Sequence, residues 1–339
     1  MENSLVIGHF LLYPLFAAAE KSGKPFVPVV LCHGVIPSRY ITPADAPNLG
    51  KFANAFFWKI WSFIFDMNFK QNINNFRKKE GLAPIKRVLR DSWKSKTLNL
   101  IAVSPCLCEP KPDWGGLYKV CGFFNIPEES EKWDMPEDLA KFLRAGSEPV
   151  YITFGSMLTV ALDSTFLKES AQLMADAVNL AGCRAIIQAP WDKVSGIPES
   201  PNIYRITRSP HSVMFRHCSA VVHHGGAGTT QSATMSGCPS IIVAHITDQE
   251  FWGKELNRIG IAPKVLYRRN VTPQRLAGEI KYVLAHPAMK EGAKKIGDVM
   301  RDENEVKQAV KLIEASFWRK QTPHPSSPLR GEEKGEGDF

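Results

Sequence analysis

The sequence has no continuous apolar run long enough to cross a bilayer. Near its start, residues 5–19 are broken by Gly8, His9 and Pro14, and no basic segment precedes them, which argues against both a signal peptide and a membrane span. Cysteine is sparse. The seven cysteines (Cys32, Cys106, Cys108, Cys121, Cys183, Cys218 and Cys238) are odd in number, and only Cys106 and Cys108 lie close together, at a spacing that suits no zinc site. A disulfide framework and a structural metal are therefore not expected, and a reducing, cytoplasmic setting is. Long basic runs are also lacking. The formal net charge of +8 comes from scattered Lys and Arg outside any nucleic-acid motif, so an anionic nucleotide or a membrane surface is a better partner than nucleic acid.

What is present suits a globular chain with a sizeable core. At 339 residues, 44% hydrophobic and 22% charged, it divides most simply into two domains. From residue 149 onward, short apolar runs at 149–154, 184–188, 202–206, 220–223 and 240–244 alternate with helical patterns, which predicts a parallel sheet wrapped by helices. Leu167, Ala171, Met174 and Val178 fall on one helical stripe before Gly182, as packing on that sheet requires. Before residue 149 the pattern is less regular. Strands are predicted at 5–8, 26–31, 98–103 and 118–121, with a long aromatic helix over 52–76, as part of a second α/β domain.

The stretch 127–148 is rich in Glu, Pro and Asp, with a short helical piece at 136–143, and suits an interdomain connection. The predicted layout is an N-terminal domain over 1–130, a connection over 131–148, a second domain over 149–320 and a tail over 321–339. The tail consists almost wholly of Pro, Ser, Gly and charged residues, a composition too poor in apolar surface to order itself.

The chemistry concentrates at Ala220-Val221-Val222-His223-His224-Gly225-Gly226-Ala227-Gly228-Thr229-Thr230. A buried strand runs directly into a glycine-rich turn and a helix expected through 231–236. Glycines let the backbone approach a diphosphate, the N–H groups at the helix start point at it, and the helix dipole favours negative charge. His224 and Thr229 add side-chain donors. A loose glycine pattern would be read as a mere connection, but two adjacent His, three Gly and two Thr after a strand favour an anion site. A second glycine turn, Phe154-Gly155-Ser156, ends the first strand of this half and could offer another N–H and a hydroxyl at the same sheet edge. Asp248-Gln249 follows the strand at 240–244. A carboxylate and an amide there suit sugar hydroxyls; a helix N-cap with an exposed Gln is the plainer alternative.

Together, residues 149–156, Pro210-His211, 223–230, Gly237-Cys238-Pro239 and Asp248-Gln249 resemble the family-one glycosyltransferases, particularly the sterol and bacterial antibiotic or lipid glucosyltransferases. The likeness runs from about residue 135 to 317. It implies the GT-B fold: two facing Rossmann-like domains with parallel sheets, the nucleotide-sugar held by the C-terminal one. It also implies a UDP-sugar co-substrate, no cofactor and no metal. Carried over by position, Gly155, Ser156, His224, Gly226, Ala227, Gly228 and Thr229 would hold the diphosphate and Asp248 and Gln249 the hexose hydroxyls. Arg208, Ser209 and His211 would lie near the uridine. Plant members stack a Trp on uracil in this region, where this chain has Arg208.

The expected reaction is inverting transfer of a hexose to a hydroxyl of a lipophilic acceptor, with a nucleotide-sugar epimerase, a non-catalytic nucleotide-sugar binder or half of a split enzyme as alternatives. The family's general base is a His near the start of its N-terminal domain, and no matching segment is found, so the catalytic residue is unassigned. Residues 4–24 resemble the middle of that domain, which implies an incomplete N-terminal domain missing about a hundred residues, with the missing segment as an expected partner. His9, at a strand end, does not match the catalytic position. The aromatic helix is expected to be core, with an acceptor-pocket wall or a peripheral membrane contact left open. The final helix, with Val306, Ala309, Val310 and Ile313 as its apolar stripe, is expected to cross back and brace the N-terminal domain through residues 314–318.

Overall fold

A computed structural model of the chain describes residues 4–43, 46–125, 133–155 and 164–318. Ser156, part of the connection and the expected tail lie outside the described residues. In the first half, β1 (Val6–His9), β2 (Phe26–Val30), β3 (Asn99–Ile101) and β4 (Tyr118–Val120) form a parallel sheet in that order. Helices α1 (Tyr13–Lys21) and α2 (Lys51–Lys79) belong to this half. A short helix α3 (Glu137–Arg144) precedes the second sheet.

The second sheet has β5 (Val150–Thr153), β6 (Ala185–Gln188), β7 (Ile203–Ile206), β8 (Ala220–His223), β9 (Ser240–Ala244) and β10 (Leu266–Tyr267) in the order β10-β9-β8-β5-β6-β7, all parallel. Its inner strands β5, β6, β8 and β9 are buried along nearly their whole length, as helices on both faces of a parallel sheet demand, whereas the edge strand β7 is mostly half-buried. Helix α4 (Ser164–Ala181) buries the anticipated stripe of Leu167, Ala171, Met174 and Val178. The remaining helices are α5 (Ala227–Met235), α6 (Thr247–Arg258), α7 (Pro273–Leu284), α8 (Pro287–Arg301) and α9 (Glu305–Phe317). The chain winds outward through β6 and β7, then returns to the other side of β5 as β8. That reversal opens a crevice beyond the carboxyl ends of β5 and β8. Thr153 pairs with His223 across it, so the two glycine turns start side by side.

Three sequence readings need correction. Helix α5 begins at Ala227 instead of 231, because residues of weak helix propensity are carried into the helix by the turn before them. The aromatic helix is not simply core. Its inner side is held by polar residues: Asp66 accepts from the Val88 N–H at 2.8 Å and from Arg87 at 3.0 Å, and Arg77 makes a two-point contact with Glu20 at 2.8 and 3.0 Å. Trp58 Nε1 donates to the Ile41 carbonyl at 2.7 Å, whereas Phe52, Phe56 and Phe63 are exposed. In the last helix, Val306 and Val310 face solvent; the buried residues are Ala309 and Ile313, with Leu312 and Phe317 partly buried beside them. These four pack on Val27, Leu98 and Leu100 of the first sheet, so α9 does brace the N-terminal half.

A shared apolar cluster joins the two halves: Phe10, Val30, Cys32 and Ile101 from the first, Ile242, Ala244, Trp252 and Leu256 from the second. The His33 ring meets Phe251 edge-on at 4.8 Å. Gln231, buried on α5, accepts the Ser104 N–H at 2.9 Å and donates to the Ala102 carbonyl at 3.2 Å. Both backbone groups lie just beyond β3, so one amide ties α5 to the other sheet. Gln231→Leu leaves a buried donor and a buried acceptor unpaired, at about 1–3 kcal/mol each. Chemical denaturation should show a loss of about 2–6 kcal/mol; a midpoint shift no larger than that of an exposed substitution would refute the bridge.

Candidate nucleotide-sugar site

The turn after β8 is set by its own side chains and by close approach. The fully buried His223 accepts the Gly225 N–H at Nδ1, 3.1 Å away. Gly225 has φ +90°, and a Cβ there would sit 2.8 Å from the Gln249 carbonyl oxygen, so glycine is required on two counts. Gly226 then forms the N-cap of α5, where no side chain caps the helix; the first helical bond runs from the Thr230 N–H to the Gly226 carbonyl at 2.9 Å. Gly228 is exposed, with Ala227 and Thr229 half-buried, so the helix start presents N–H groups and positive dipole with no side-chain cap among the described residues.

The His224 ring lies over both glycine turns. A Cβ on Gly155 would be 2.7 Å from its Cε1, and one on Gly226 would be 2.4 Å from its Nε2. Gly155 itself has φ +54° and donates its N–H to Thr153 Oγ1 at 3.0 Å. His224 Nδ1 is buried without a hydrogen-bond partner, and so is His245 Nε2. His245 Nδ1 lies 3.0 Å from the Val243 carbonyl, which can only accept, so that nitrogen carries the proton and Nε2 is left as an acceptor. Its ring packs edge-on against Phe154 at 5.2 Å.

Burial pushes the His224 imidazole down to about 4, with His245 and His211 adding to the fall. Burial also lowers His245 and takes His223 further down. These rings are neutral at pH 7, so they offer hydrogen bonds rather than charge, and the helix start supplies the attraction for an anion.

Gln249 is buried, and its Oε1 accepts the His245 N–H at 2.8 Å and the Ile246 N–H at 3.3 Å. It therefore closes the start of α6, leaving its amide N–H groups for a ligand. The N-cap is Ile246, so the alternative of an Asp N-cap with an exposed Gln does not hold. Asp248 is half-buried. Burial raises its carboxyl, partly offset by its own and the Gln249 N–H, and it adds to the rise that burial imposes on the Cys32 thiol of the other half. It thus stands where the two halves meet.

Among the residues assigned to the uridine, Ser209 is buried with its Oγ 2.8 Å from the Tyr151 hydroxyl, which donates to Gln188 at 3.1 Å. His211 stacks on Phe215 at 4.6 Å, and burial pushes it down to about 4. Arg208 is exposed at the end of β7. His9 is half-buried at the end of β1, where its Nδ1 accepts the Leu11 N–H at 3.4 Å. Sequence reasoning missed His245, Gln231 and Thr153; a His immediately after a predicted strand was the available signal for the first. Among the described residues, no three His, Cys, Asp or Glu side chains gather as a metal site, and no helix is long and apolar enough to cross a membrane.

The model of the C-terminal domain of erythromycin biosynthesis protein CIII-like proteins matches residues 171–315, which include the turn, α5 and the Asp248-Gln249 pair. A sterol 3-beta-glucosyltransferase of Arabidopsis thaliana is 32% identical over 274 residues, covering 78% of this chain and 42% of the relative. The chain belongs to the family-one glycosyltransferases. It spans less than half the length of that relative. Two solved glycosyltransferases share its GT-B fold. Spinosyn forosaminyltransferase SpnP has a TM-score of 0.66 at 16% identity, covering 93% of this chain and 76% of its own. Spinosyn rhamnosyltransferase SpnG, complexed with thymidine diphosphate, has 0.58 at 18%, covering 92% and 73%.

Two measurements test the packing of this family-one site. Gly226→Ala, at an ordinary φ of −63°, must push the His224 ring aside, and the imidazole should then titrate closer to the usual 6.5 than to about 4 in an NMR pH series. Gly228→Ala, where a Cβ meets nothing within 4 Å, should leave it unmoved. Equal His224 titration in both variants would sink the assignment. The second concerns stability. His33, His211 and His224 are held near 4 in the fold against an ordinary 6.5, so the unfolded chain takes up protons that the native chain refuses. Their contribution is complete above 6.5 and is lost as the pH falls toward 4. The melting temperature should drop between neutral pH and about pH 5, and less so in His211→Phe; a flat profile would contradict the buried, neutral rings.

Proposed function

We propose that the chain takes part in inverting transfer of a hexose from a UDP-sugar to a hydroxyl of a lipophilic acceptor. The observation that carries this reading is the uncapped start of α5 beneath the buried, unpartnered His224 Nδ1. Its backbone N–H groups suit a diphosphate, with His224 and Thr229 as side-chain donors and Gly155 at the facing turn. Ser156 completes the proposed diphosphate set, Asp248 and the Gln249 amide take the sugar hydroxyls, and Arg208, Ser209 and His211 border the uridine. The thymidine diphosphate in the SpnG complex supports a nucleoside diphosphate as the ligand class, and the sterol acceptor in the Arabidopsis relative's name supports a lipophilic alcohol. In this reading no metal or cofactor is needed, because the helix start meets the diphosphate charge. The setting is cytoplasmic, with peripheral contact at a membrane.

A second reading keeps the same donor site without transfer by this chain alone. The chain would then bind donor without transferring it, or act as half of a split enzyme with the general base on a partner segment. Losing such a base typically slows transfer about 10²–10⁴-fold.

Calorimetric titration tests the shared element. UDP should bind, and His224→Ala should weaken it by about 1–3 kcal/mol. Asp248→Ala should spare UDP while impairing the intact UDP-sugar, since its partners are hydroxyls. Equal UDP affinity in wild type and His224→Ala would remove the histidine from the site, and equal loss of both ligands in Asp248→Ala would move that carboxylate to the phosphates. Product formation with lipophilic alcohols then separates transfer from binding alone.

A further inference from the structure

Helix α2 carries an apolar row on its outward side that its own half leaves uncovered. Phe52, Phe56, Ile60, Phe63, Ile64 and Met67 recur at helical spacing along about 22 Å of the helix. All six are exposed, with Phe52 at 90%, Phe56 at 60% and Phe63 at 59%. The inward side carries Asn54, Trp58, Asp66, Ile73 and Arg77, whose polar atoms are largely satisfied by neighbouring loops and Glu20. The outward row therefore contributes nothing to the core, and a contiguous aromatic surface of this kind marks an interaction site.

The charge on the same helix says what it meets. It carries Lys51, Lys59, Lys70, Lys78 and Lys79, while Arg77 is turned inward onto Glu20 and the one carboxylate, Asp66, is buried and bonded to Arg87 and the Val88 N–H. A second copy of this chain would bring lysines to lysines across a two-fold contact. Anionic headgroups would meet them with opposite charge while the phenylalanines enter the acyl boundary, the pattern of an interfacial helix.

We propose that the exposed face of α2 is a docking surface for an anionic lipid bilayer, lying in its plane. This deepens the peripheral-membrane part of the proposed function but needs neither donor binding nor transfer, so vesicle binding and UDP titration fail separately.

The test is vesicle co-sedimentation of the full chain, with phosphatidylcholine alone and with phosphatidylglycerol added. Wild type should partition onto the anionic vesicles, more weakly as salt rises. Phe56→Ser/Phe63→Ser should partition about 100-fold less, about tenfold for each phenylalanine withdrawn. Phe56→Leu/Phe63→Leu should retain most of the binding. Both variants should keep the wild-type melting temperature, since the sites are exposed, which separates lost docking from misfolding. Equal partition of wild type and the serine variant would overturn the proposal. So would absence of vesicle binding together with a dimer on size exclusion that the serine variant dissolves, which would assign the face to a second copy.

Discussion

The structure depends on how closely two chain segments approach at the switch between β5 and β8. Where the strand order reverses, a loop from each side must fit into the same crevice, and there is room only because Gly155, Gly225 and Gly226 have no side chains. The saved space holds one imidazole, His224, and lets β8 run into α5 with the helix start bare. Strand order, turn conformation and the bare helix start are thus one arrangement. Changing any of these glycines forces either His224 or the Gln249 backbone to move.

The second organising feature is the absence of charge where an anion would bind. His223, His224 and His245 cluster there, yet burial holds each below its ordinary titration range. Fixed dipoles, N–H groups and neutral rings form the site. Such groups need little rearrangement when a charged ligand arrives. A diphosphate would itself favour protonation of His224, because a nearby negative charge stabilises imidazolium and works against burial.

The sequence was most legible where one local pattern sufficed. Strands β8 and β9 fall at 220–223 and 240–244 as read, because each is a short apolar run bounded by polar or glycine-rich residues. The two-residue β10 is too short to show a period and was missed. Helix α2 misled because its aromatic-rich sequence reads as core without saying that much of its apolar surface faces outward and polar residues hold its inner side. The bond from Gln231 to Ser104 spans 127 residues, and nothing near either residue signals it. His245 belongs to no motif and joins the site only because β9 ends beside β8. The resemblance singled out the candidate donor loops, while the unpartnered imidazole nitrogens and the capping role of Gln249 required coordinates.

The apolar cluster shared by the two halves, pinned by Gln231 and strapped by α9, bears on motion. A hinge works when the bodies it joins part without exposing much oil to water. Here, swinging one sheet away from the other would wet Trp252, Ile242 and Cys32 together and strip two backbone groups of their amide partner. The cheap movements are therefore small shears within the packed seam and adjustments of the loops at its mouth. Selectivity among ligands would then come from the shape of a pre-set cleft rather than from a jaw closing around its contents.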